Sequence, residues 1–332
     1  MPFSRIVGHN RIVSLLRRSL EAGKLSHAYL FDGIDGIGMK DTALALVEAA
    51  FCNGKDGCGE CSSCRKVGGL RHPDLHLVQP DGAFIKIDQI RDLQKELSLR
   101  PYEARKKACI IEDAERMNPS AANAFLKTLE EPPGEALLIL LTSHVDGILP
   151  TIRSRCQHLR FPALPMETIE ADLRDSGADP EPSRVAAALA GGDLARAREL
   201  ISGDRLQARK LFLERAAHLS QAEIIPLFAA AEEYATDKES ALDLVDLLRL
   251  FWRDALLART GCSGITNSDL LSLVNEKAAS HSLEEIMEKL DGISMIRRAL
   301  TRNANPRLSM EVLLMELANA SPPANPVRNV RQ

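Results

Sequence analysis

Short apolar runs alternate with helical patterns over the first half of the chain. Five segments read as β-strands because each is an apolar run of strand length: HAYLFDG, DLHLVQP, KACIIEDA, ALLILLTS and CQHLRFP. Between them, apolar residues recur every three or four positions in DTALALVEAAFC, IDQIRDLQKELSL and SAANAFLKTLEE, which predicts helices. Strands that alternate with helices in this way predict a parallel α/β sheet.

Caps and breakers mark the ends of the third of these helices. Asn118 followed by Pro119 predicts a helix start, because an Asn side chain can cap the first turn and proline suits its first position. The sequence Pro132-Pro133-Gly134 predicts a sharp stop, since proline cannot continue a helix without losing a backbone hydrogen bond.

The strand signal fades after Pro162. Residues 166–203 read as two or three short helices with a break at Gly191-Gly192. From residue 204 the pattern is almost wholly helical, in LQARKLFLERAAHLS, ESALDLVDLLRLFWRDALLAR and LEEIMEKLDGISMIRRALTRN, and the single tryptophan, Trp252, is expected to be core. The final ASPPANPVRNVRQ has little to bury, which predicts a disordered tail.

Composition narrows the class of protein. A chain of 332 residues should form two or three domains, and 45% hydrophobic with 27% charged residues is ordinary for a globular protein. The net charge of −4 argues against a strongly basic nucleic-acid binder acting alone, although a local basic face stays possible. No secretory signal or membrane span is visible, so we expect a cytoplasmic protein with no membrane contact.

A dense cysteine cluster lies in CNGKDGCGECSSC, as C-x5-C-x2-C-x2-C. Its members are Cys52, Cys58, Cys61 and Cys64. Zinc takes four thiolates in a tetrahedron, and C-x2-C turns direct two of them at one point, so the pattern predicts a closed, structural zinc site. Merely reactive or buried thiols are one alternative, and a C-x2-C redox switch is a weaker one. Cys109 and Cys262 are expected to be inert small hydrophobes.

A glycine-rich stretch between the first strand and the first of these helices resembles a phosphate-binding loop. Gly33, Gly36 and Gly38 lie where backbone N–H groups would surround phosphates at a helix N-terminus. The working motif G-x-x-x-x-G-K-[ST] needs Lys and then Ser or Thr after the last glycine, to serve the phosphates and Mg²⁺. Here those two positions hold Met39 and Lys40. We therefore expect efficient ATP hydrolysis to be lost, with ATP bound weakly or not at all.

A shifted version of this loop is the alternative. Lys40 would then serve the phosphates and Thr42 the metal. Each one-residue shift turns a helical side chain by about 100°, which a long lysine could correct but a threonine could not.

The strand KACII is followed by Glu112 and Asp113, where an ATPase carries Asp then Glu. The reversed order lengthens the metal-binding arm by one methylene, and a misplacement of about 1 Å can cost about a hundredfold in rate. Alternatively, the two acids simply cap the end of a strand.

With these features in order, LKTLEEPP at 126–133 and SRC at 154–156 complete a family pattern. The chain resembles the clamp-loader branch of the AAA+ ATPases, in the bacterial DNA polymerase III complex, over residues 5–200. The resemblance implies an AAA+ parallel-sheet domain at 1–163 with a zinc module near 52–64, and a small helical lid at 164–203. It also implies a helical collar for assembly at 204–319, before a tail at 320–332.

The resemblance also implies roles for particular residues. SRC would supply an arginine finger, Arg155, to ATP in the adjacent subunit. A sensor motif Gly-x-x-Arg would align with Gly192 to Ala195, where Ala195 replaces the arginine. These departures suggest a non-hydrolysing stator subunit that helps to load the sliding clamp on primed DNA, as part of a DNA-directed DNA polymerase holoenzyme. Arg155 could instead form a local salt bridge.

Partners follow from the same resemblance: gamma/tau ATPase subunits, the delta subunit, and primer-template DNA and the sliding clamp within the complex. One rival is an active, gamma/tau-like ATPase that uses the shifted loop. Another is a stand-alone zinc-dependent DNA-binding module, which is disfavoured because the sequence shows neither a basic stripe nor an aromatic-rich surface.

Overall fold

The structure is a computed structural model that describes residues 2–54, 57–132, 134–218 and 237–318. The predicted tail at 320–332 and part of the predicted collar lie outside the described residues. The described residues form two compact units: one within residues 1–177 and 190–198, and the other from residues 178–189 and the described residues from 199 onward. The division predicted at residues 163 and 203 stays a prediction.

The first unit contains a five-stranded sheet in which all pairs of neighbouring strands are parallel. The strands are β1 (Ala28–Asp32), β2 (Leu75–Val78), β3 (Lys107–Ile111), β4 (Ala136–Thr142) and β5 (Gln157–Arg160). Their order is β2-β3-β4-β1-β5, with Leu30 opposite Leu140 on β4 and opposite His158 on β5. Each lies within one of the five predicted strand segments.

Seven helices accompany this sheet: α1 (Asn10–Glu21), α2 (Met39–Phe51), α3 (Ser62–Gly68), α4 (Ile87–Ser98), α5 (Pro119–Glu130), α6 (Pro150–Arg153) and α7 (Met166–Asp175). The Asn118 side chain accepts a hydrogen bond from the Ala121 N–H at 2.8 Å, as the predicted cap requires. Helix α2 begins two residues earlier than the pattern suggested, because Gly38 takes a left-handed conformation (φ 97°) and caps it.

Alternate residues of the strands enter separate cores on the two faces of the sheet. Tyr29 and Phe31 pack with Leu46 of α2 on one face. Leu30 packs with Ile90 of α4 and Phe125 of α5 on the other. Burial on both faces explains why the three central strands, β1, β3 and β4, read as continuous apolar runs.

The chain continues in helices α8 (Pro180–Ala190), α9 (Leu194–Ile201), α10 (Arg205–Ala217), α11 (Lys238–Thr260), α12 (Leu271–Ser280), α13 (Leu283–Thr301) and α14 (Pro306–Ala318). The second unit has its own core, in which Trp252 is 4% exposed, as predicted. The Trp252 ring lies 5.1 Å from the His281 ring, and the Lys289 ammonium lies 5.1 Å from the Trp252 ring centroid.

The predicted fold class is therefore confirmed: a parallel-sheet α/β domain that carries a four-cysteine cluster, followed by a helical C-terminal part. A search of the described helices finds none with the length and apolar character needed to cross a membrane.

Candidate functional site

The glycine loop follows β1 at the carboxyl edge of the sheet and leads into α2. The Gly33 N–H donates to the Thr142 carbonyl oxygen at 3.1 Å, which joins the loop to β4. Gly36 and Gly38 both have positive φ values, of 73° and 97°. The loop borders a cavity of about 300 Å³ that is also lined by the ends of β3 and β4. The glycine residues therefore have the position and backbone conformation that the sequence predicts for the frame of a phosphate loop.

The side chains that would do chemistry in this loop are engaged elsewhere. Met39 is 7% exposed and packs in the core. The Lys40 Nζ lies 2.7 Å from the Glu112 Oε1, and Glu112 also accepts a hydrogen bond from the Gln79 amide at 3.1 Å. The Thr42 hydroxyl donates to the Gly38 carbonyl oxygen at 2.7 Å and is fully buried. The side chains of Lys40 and Thr42 are therefore engaged within the protein, and neither is free to contact a phosphate or a metal ion.

The residue that the sequence aligns with a missing sensor arginine lies directly against the loop. The Ala195 N–H donates to the Gly36 carbonyl oxygen at 3.1 Å. Asp193 lies so close to Gly36 that an added Cβ there would be 1.9 Å from its Oδ1. The same Oδ1 accepts a hydrogen bond from the Arg196 N–H at 2.8 Å. This segment therefore presents a carboxylate and a methyl group to the loop.

The surroundings of the loop are acidic. Partial desolvation raises the pKa of the Asp35 carboxyl above its ordinary value, and three neighbouring carboxylates raise it further: Asp113, Glu115 and Asp193. The opposite charge of His144 acts in the other direction. A triphosphate would bring several negative charges to a place where a single carboxylate is already disfavoured.

One acidic residue of this cluster was missed in the sequence. Glu115 accepts hydrogen bonds from the hydroxyl of Thr142 at 2.7 Å and from that of Ser143 at 3.2 Å. The His144 Nδ1 lies 3.6 Å from the Glu115 Oε1. The sequence could have predicted this cluster from position alone. Its residues lie at or just after the ends of β3 and β4, and the carboxyl ends of parallel strands lie at the same edge of a sheet.

Replacing Asp35 with asparagine is expected to raise the melting temperature at pH 7 by roughly 1–3 °C. The pKa of Asp35 is higher in the folded chain than in the unfolded chain, so ionisation of this carboxyl destabilises the fold. The stabilisation by the protonated form is lost as the pH rises from the unfolded-state pKa through the folded-state pKa, and asparagine, which cannot ionise, avoids this loss. The gain should therefore shrink as the pH falls and vanish below about pH 3, where the carboxyl is largely protonated in both states. Thermal unfolding across this pH range measures both effects.

The matched control is Asp41→Asn. Asp41 is exposed in the first turn of α2, where a negative charge is favourable, so this variant should not gain stability. An equal rise in both variants would show that general charge reduction, rather than the carboxylates around the loop, controls the effect.

Arg155 lies between α6 and β5 with 37% of its side chain exposed. Its Nη2 is 2.7 Å from the Glu130 Oε1, and its Nη1 donates to the Thr151 carbonyl oxygen at 2.9 Å. Arg153, two residues earlier, lies 3.6 Å from the Asp146 carboxylate. In the single chain Arg155 therefore forms the local salt bridge that we considered as the alternative, at an accessible position.

The four clustered cysteines bring their sulfur atoms to within 4.8 Å of one another. Cys52 and Cys61 are 3.9 Å apart at Sγ, and Cys58 and Cys64 are 4.0 Å apart. Four sulfurs about 2.3 Å from one zinc ion would be about 3.8 Å apart, so the arrangement has the dimensions of a tetrahedral thiolate site.

Backbone N–H groups surround these sulfurs. The N–H groups of Gly54 and Cys58 both donate to the Cys52 Sγ, at 3.3 Å. Backbone N–H groups of Glu60 and Cys61 lower the pKa of Cys58 to about 6, whereas burial raises the pKa of Cys64 to about 12. Such donors are the partners that a metal-bound thiolate requires.

Two cysteines outside the cluster differ from each other. Cys109 is fully buried in β3, as expected of an inert core residue. Cys262 is exposed and lies two residues beyond the end of α11, so the prediction of an inert small hydrophobe in a helical region was wrong. The helical pattern before it hid a stop at Gly261, which has a left-handed φ of 70°.

Comparisons with known proteins agree with this arrangement. Family models described as "DNA polymerase III, delta subunit" and "DNA polymerase III, delta subunit, C terminal" match residues 8–165 and 203–319. The DNA polymerase III subunit delta' of Bacillus subtilis (strain 168) is 35% identical over 321 residues, which cover 92% of this chain and 95% of that protein. The chain belongs to the DNA polymerase III delta-prime family.

Other members of the wider family are also similar. The DNA polymerase III subunit tau of Escherichia coli (strain K12) is 28% identical over 332 residues, which cover 97% of this chain but 48% of that protein. A solved structure of a gamma subunit-related protein from Thermotoga maritima shares the fold, with a TM-score of 0.53 and 20% identity over 92% of this chain and 98% of that one. The chain is thus a clamp-loader subunit of DNA polymerase III.

Proposed function

We propose that the chain is a non-hydrolysing delta-prime subunit that helps to load the sliding clamp on primed DNA. The observation that carries the proposal is the ion pair between Lys40 and Glu112. In a working phosphate loop, the residue after the lysine and the acid at the end of this strand share a Mg²⁺ ion. In this chain those two positions are Lys40 and Glu112, and the Lys40 ammonium group pairs directly with the Glu112 carboxylate. The chain therefore places its own cation where a metal ion would be needed.

The acidic surroundings support the same conclusion. A nucleotide would have to displace Glu112 from Lys40 and bring its phosphates near Asp35 and Asp193. Each of these steps opposes binding of an anion. We therefore propose that ATP binds weakly or not at all in this loop.

We propose that Cys52, Cys58, Cys61 and Cys64 hold a structural zinc ion. The donor set fits: four sulfurs lie at nearly tetrahedral spacing, and no open ligand position remains for a substrate. When bound, the ion would crosslink the loop after α2 to the start of α3. The Cys64 Sγ lies 3.9 Å from the Glu48 carbonyl oxygen, so this crosslink adjoins the body of α2.

Arg155 is proposed to act in a neighbouring subunit's site. An arginine donated from outside stabilises the charge on a transferring phosphoryl group, which is worth about 10³–10⁵ in rate in other systems. Its partial exposure leaves it within reach of a neighbour that displaces Glu130. The partners that we propose are gamma/tau ATPase subunits and a delta subunit, with primer-template DNA and the clamp bound by the assembled complex.

The rival function is an active ATPase of the gamma/tau type with a shifted loop. Similarity to the tau subunit favours it, because that relative covers nearly the whole of this chain. The hydrogen bond from Thr42 to Gly38 opposes it, because that hydroxyl is buried and unavailable to a metal.

Equilibrium binding of ATP to the purified chain separates the two functions. We expect a dissociation constant above about 1 mM, weaker than about −4 kcal/mol, and no turnover. Mixing the chain with its ATPase and delta partners should nevertheless give a complex whose clamp-loading activity depends on the chain. Calorimetry, phosphate release and a clamp-loading assay measure the three quantities.

A double variant, Met39→Lys with Lys40→Thr, restores the motif and provides the positive control. It should bind ATP at least about tenfold more tightly, since it removes the ion pair and adds the phosphate lysine. Micromolar binding by the natural chain, with turnover abolished by Lys40→Ala, would overturn the proposal in favour of the shifted loop.

A further inference from the structure

Two basic segments that are far apart in the sequence lie side by side in the first unit. The first, residues 65–71, comprises most of α3 and the turn after it, and the second is the loop at 100–106. Together they carry six cationic side chains outside the core: Arg65, Lys66, Arg71, Arg100, Arg105 and Lys106. We call these residues, with Tyr102, the module-flank surface.

Buried and charged contacts hold the two segments together. Asp74 is fully buried, and its carboxylate accepts hydrogen bonds from the N–H groups of Tyr102, Glu103 and Ala104, at 2.7–2.8 Å. The Lys66 Nζ lies 2.6 Å from the Glu103 Oε1. The loop at 100–106 is therefore fixed to the residues that follow α3.

The cysteine cluster fixes the first segment from its other end. The Cys61 Sγ accepts a hydrogen bond from the Cys64 N–H and so caps the first turn of α3, the helix that carries Arg65 and Lys66. After α3 the chain folds back, with the Arg71 N–H donating to the Lys66 carbonyl oxygen at 2.7 Å. The cations thus lie on a framework rather than on a free loop.

The charge of this surface is largely uncompensated. Lys66 pairs with Glu103, but no ion pair is found for the other five cations within the part of the chain that the structure describes. Arg105 and Lys106 follow Glu103, the partner of Lys66, within three residues of the chain. The Cα atoms of these two cations therefore lie within about 11 Å of the Glu103 Cα. A chain with a net charge of −4 therefore carries a local excess of positive charge beside its cysteine cluster.

Tyr102 adds a second chemical feature at this surface. Its side chain is 83% exposed although its backbone is anchored to Asp74. An exposed ring on a fixed backbone, among cations spread over an open surface, is the combination that binds single-stranded nucleic acid: phosphates contact the cations and a base stacks on the ring. A duplex would not offer an unpaired base to that ring.

We propose that the module-flank surface binds single-stranded nucleic acid directly. This contact belongs to the chain itself and does not depend on the proposed arginine finger or on the degenerate loop. Sequence preference is not expected, because exposed cations and a single aromatic ring contact features that every strand possesses.

The test is fluorescence anisotropy of a labelled oligothymidylate strand of about 20 nucleotides with the full-length chain. We expect binding at about 50 mM salt that weakens steeply by about 200 mM salt, because phosphate contacts release counterions. The variant Arg71→Glu with Arg105→Glu should bind at least about tenfold more weakly. The control Arg174→Glu with Arg298→Glu makes the same charge change at exposed sites elsewhere and should lose less than about twofold.

Tyr102→Ala tests the stacking contact. It should weaken single-strand binding about fivefold or more and leave the weaker binding of a duplex unchanged. Three results would overturn the inference: no binding by the natural chain, equal losses in the variant and its control, or preference for an acidic peptide over the oligonucleotide. The ATPase and assembly assays of the reconstituted complex are separate readouts, so failure here leaves the proposed function standing.

Discussion

Replacing Arg155 with alanine is expected to slow ATP hydrolysis at the neighbouring subunit's site about 10³-fold in the reconstituted clamp loader. The reason is that the guanidinium would stabilise charge that develops on the transferring phosphoryl group, which no other group of this chain is proposed to contact. Single-turnover phosphate release in the presence of primed DNA and clamp measures the rate. ATP affinity should change much less, because the contact strengthens in the transition state.

Two variants isolate this effect from general damage at the same turn. Arg153→Ala removes a cation only two residues away, which lies near Asp146, and should leave hydrolysis nearly unchanged. Glu130→Ala removes the present partner of Arg155 and should not slow hydrolysis, because a guanidinium that acted in a neighbour's site, as proposed, would have to leave that partner. If Arg155→Ala hydrolyses ATP at the natural rate, Arg155 is only one half of a surface salt bridge.

Replacing Cys64 with serine is expected to reduce bound zinc from about one ion per chain to nearly none. A ligand that binds only the folded state stabilises it by about 4 kcal/mol when its free concentration is about 1,000 times the dissociation constant. Loss of the proposed ion should therefore lower the stability of the first unit by about that amount. Elemental analysis and thermal unfolding, each with and without a chelator, give the two values.

Cys262→Ser is the matched control for this substitution. It removes an exposed thiol outside the cluster, so both zinc content and stability should match those of the natural chain. A natural chain that purifies without metal and is indifferent to chelator would contradict a structural zinc site. Retention of a full zinc equivalent by Cys64→Ser would instead mean that Cys64 is not a ligand.

The fold follows from the sequence where one local rule is sufficient. The three central strands are recognisable because burial on both faces leaves apolar runs. The start of α5 is recognisable because Asn118 and Pro119 suit successive positions of a helix N-terminus. The cysteine cluster is equally local, with all four cysteines within thirteen residues. Each of these features depends on neighbours in the chain.

Features that depend on distant pairs were not predicted. Both Glu130 and Arg155 lie in motifs that attracted attention, yet their salt bridge requires knowledge of how α5 and the turn before β5 meet. Asp193 reaches Gly36 across about 150 residues of sequence. The module-flank surface is the clearest case, because its two halves are separated by β2 and α4 and only the fold makes them one surface.

The position of Trp252 gives the second unit an optical signal of its own. Since it is the only tryptophan of the chain and lies in the helical core, indole emission will follow melting of that core alone. A colorimetric indicator of release of the proposed zinc ion would follow the first unit. One denaturant titration that records both signals would therefore show whether the two units unfold together or one after the other.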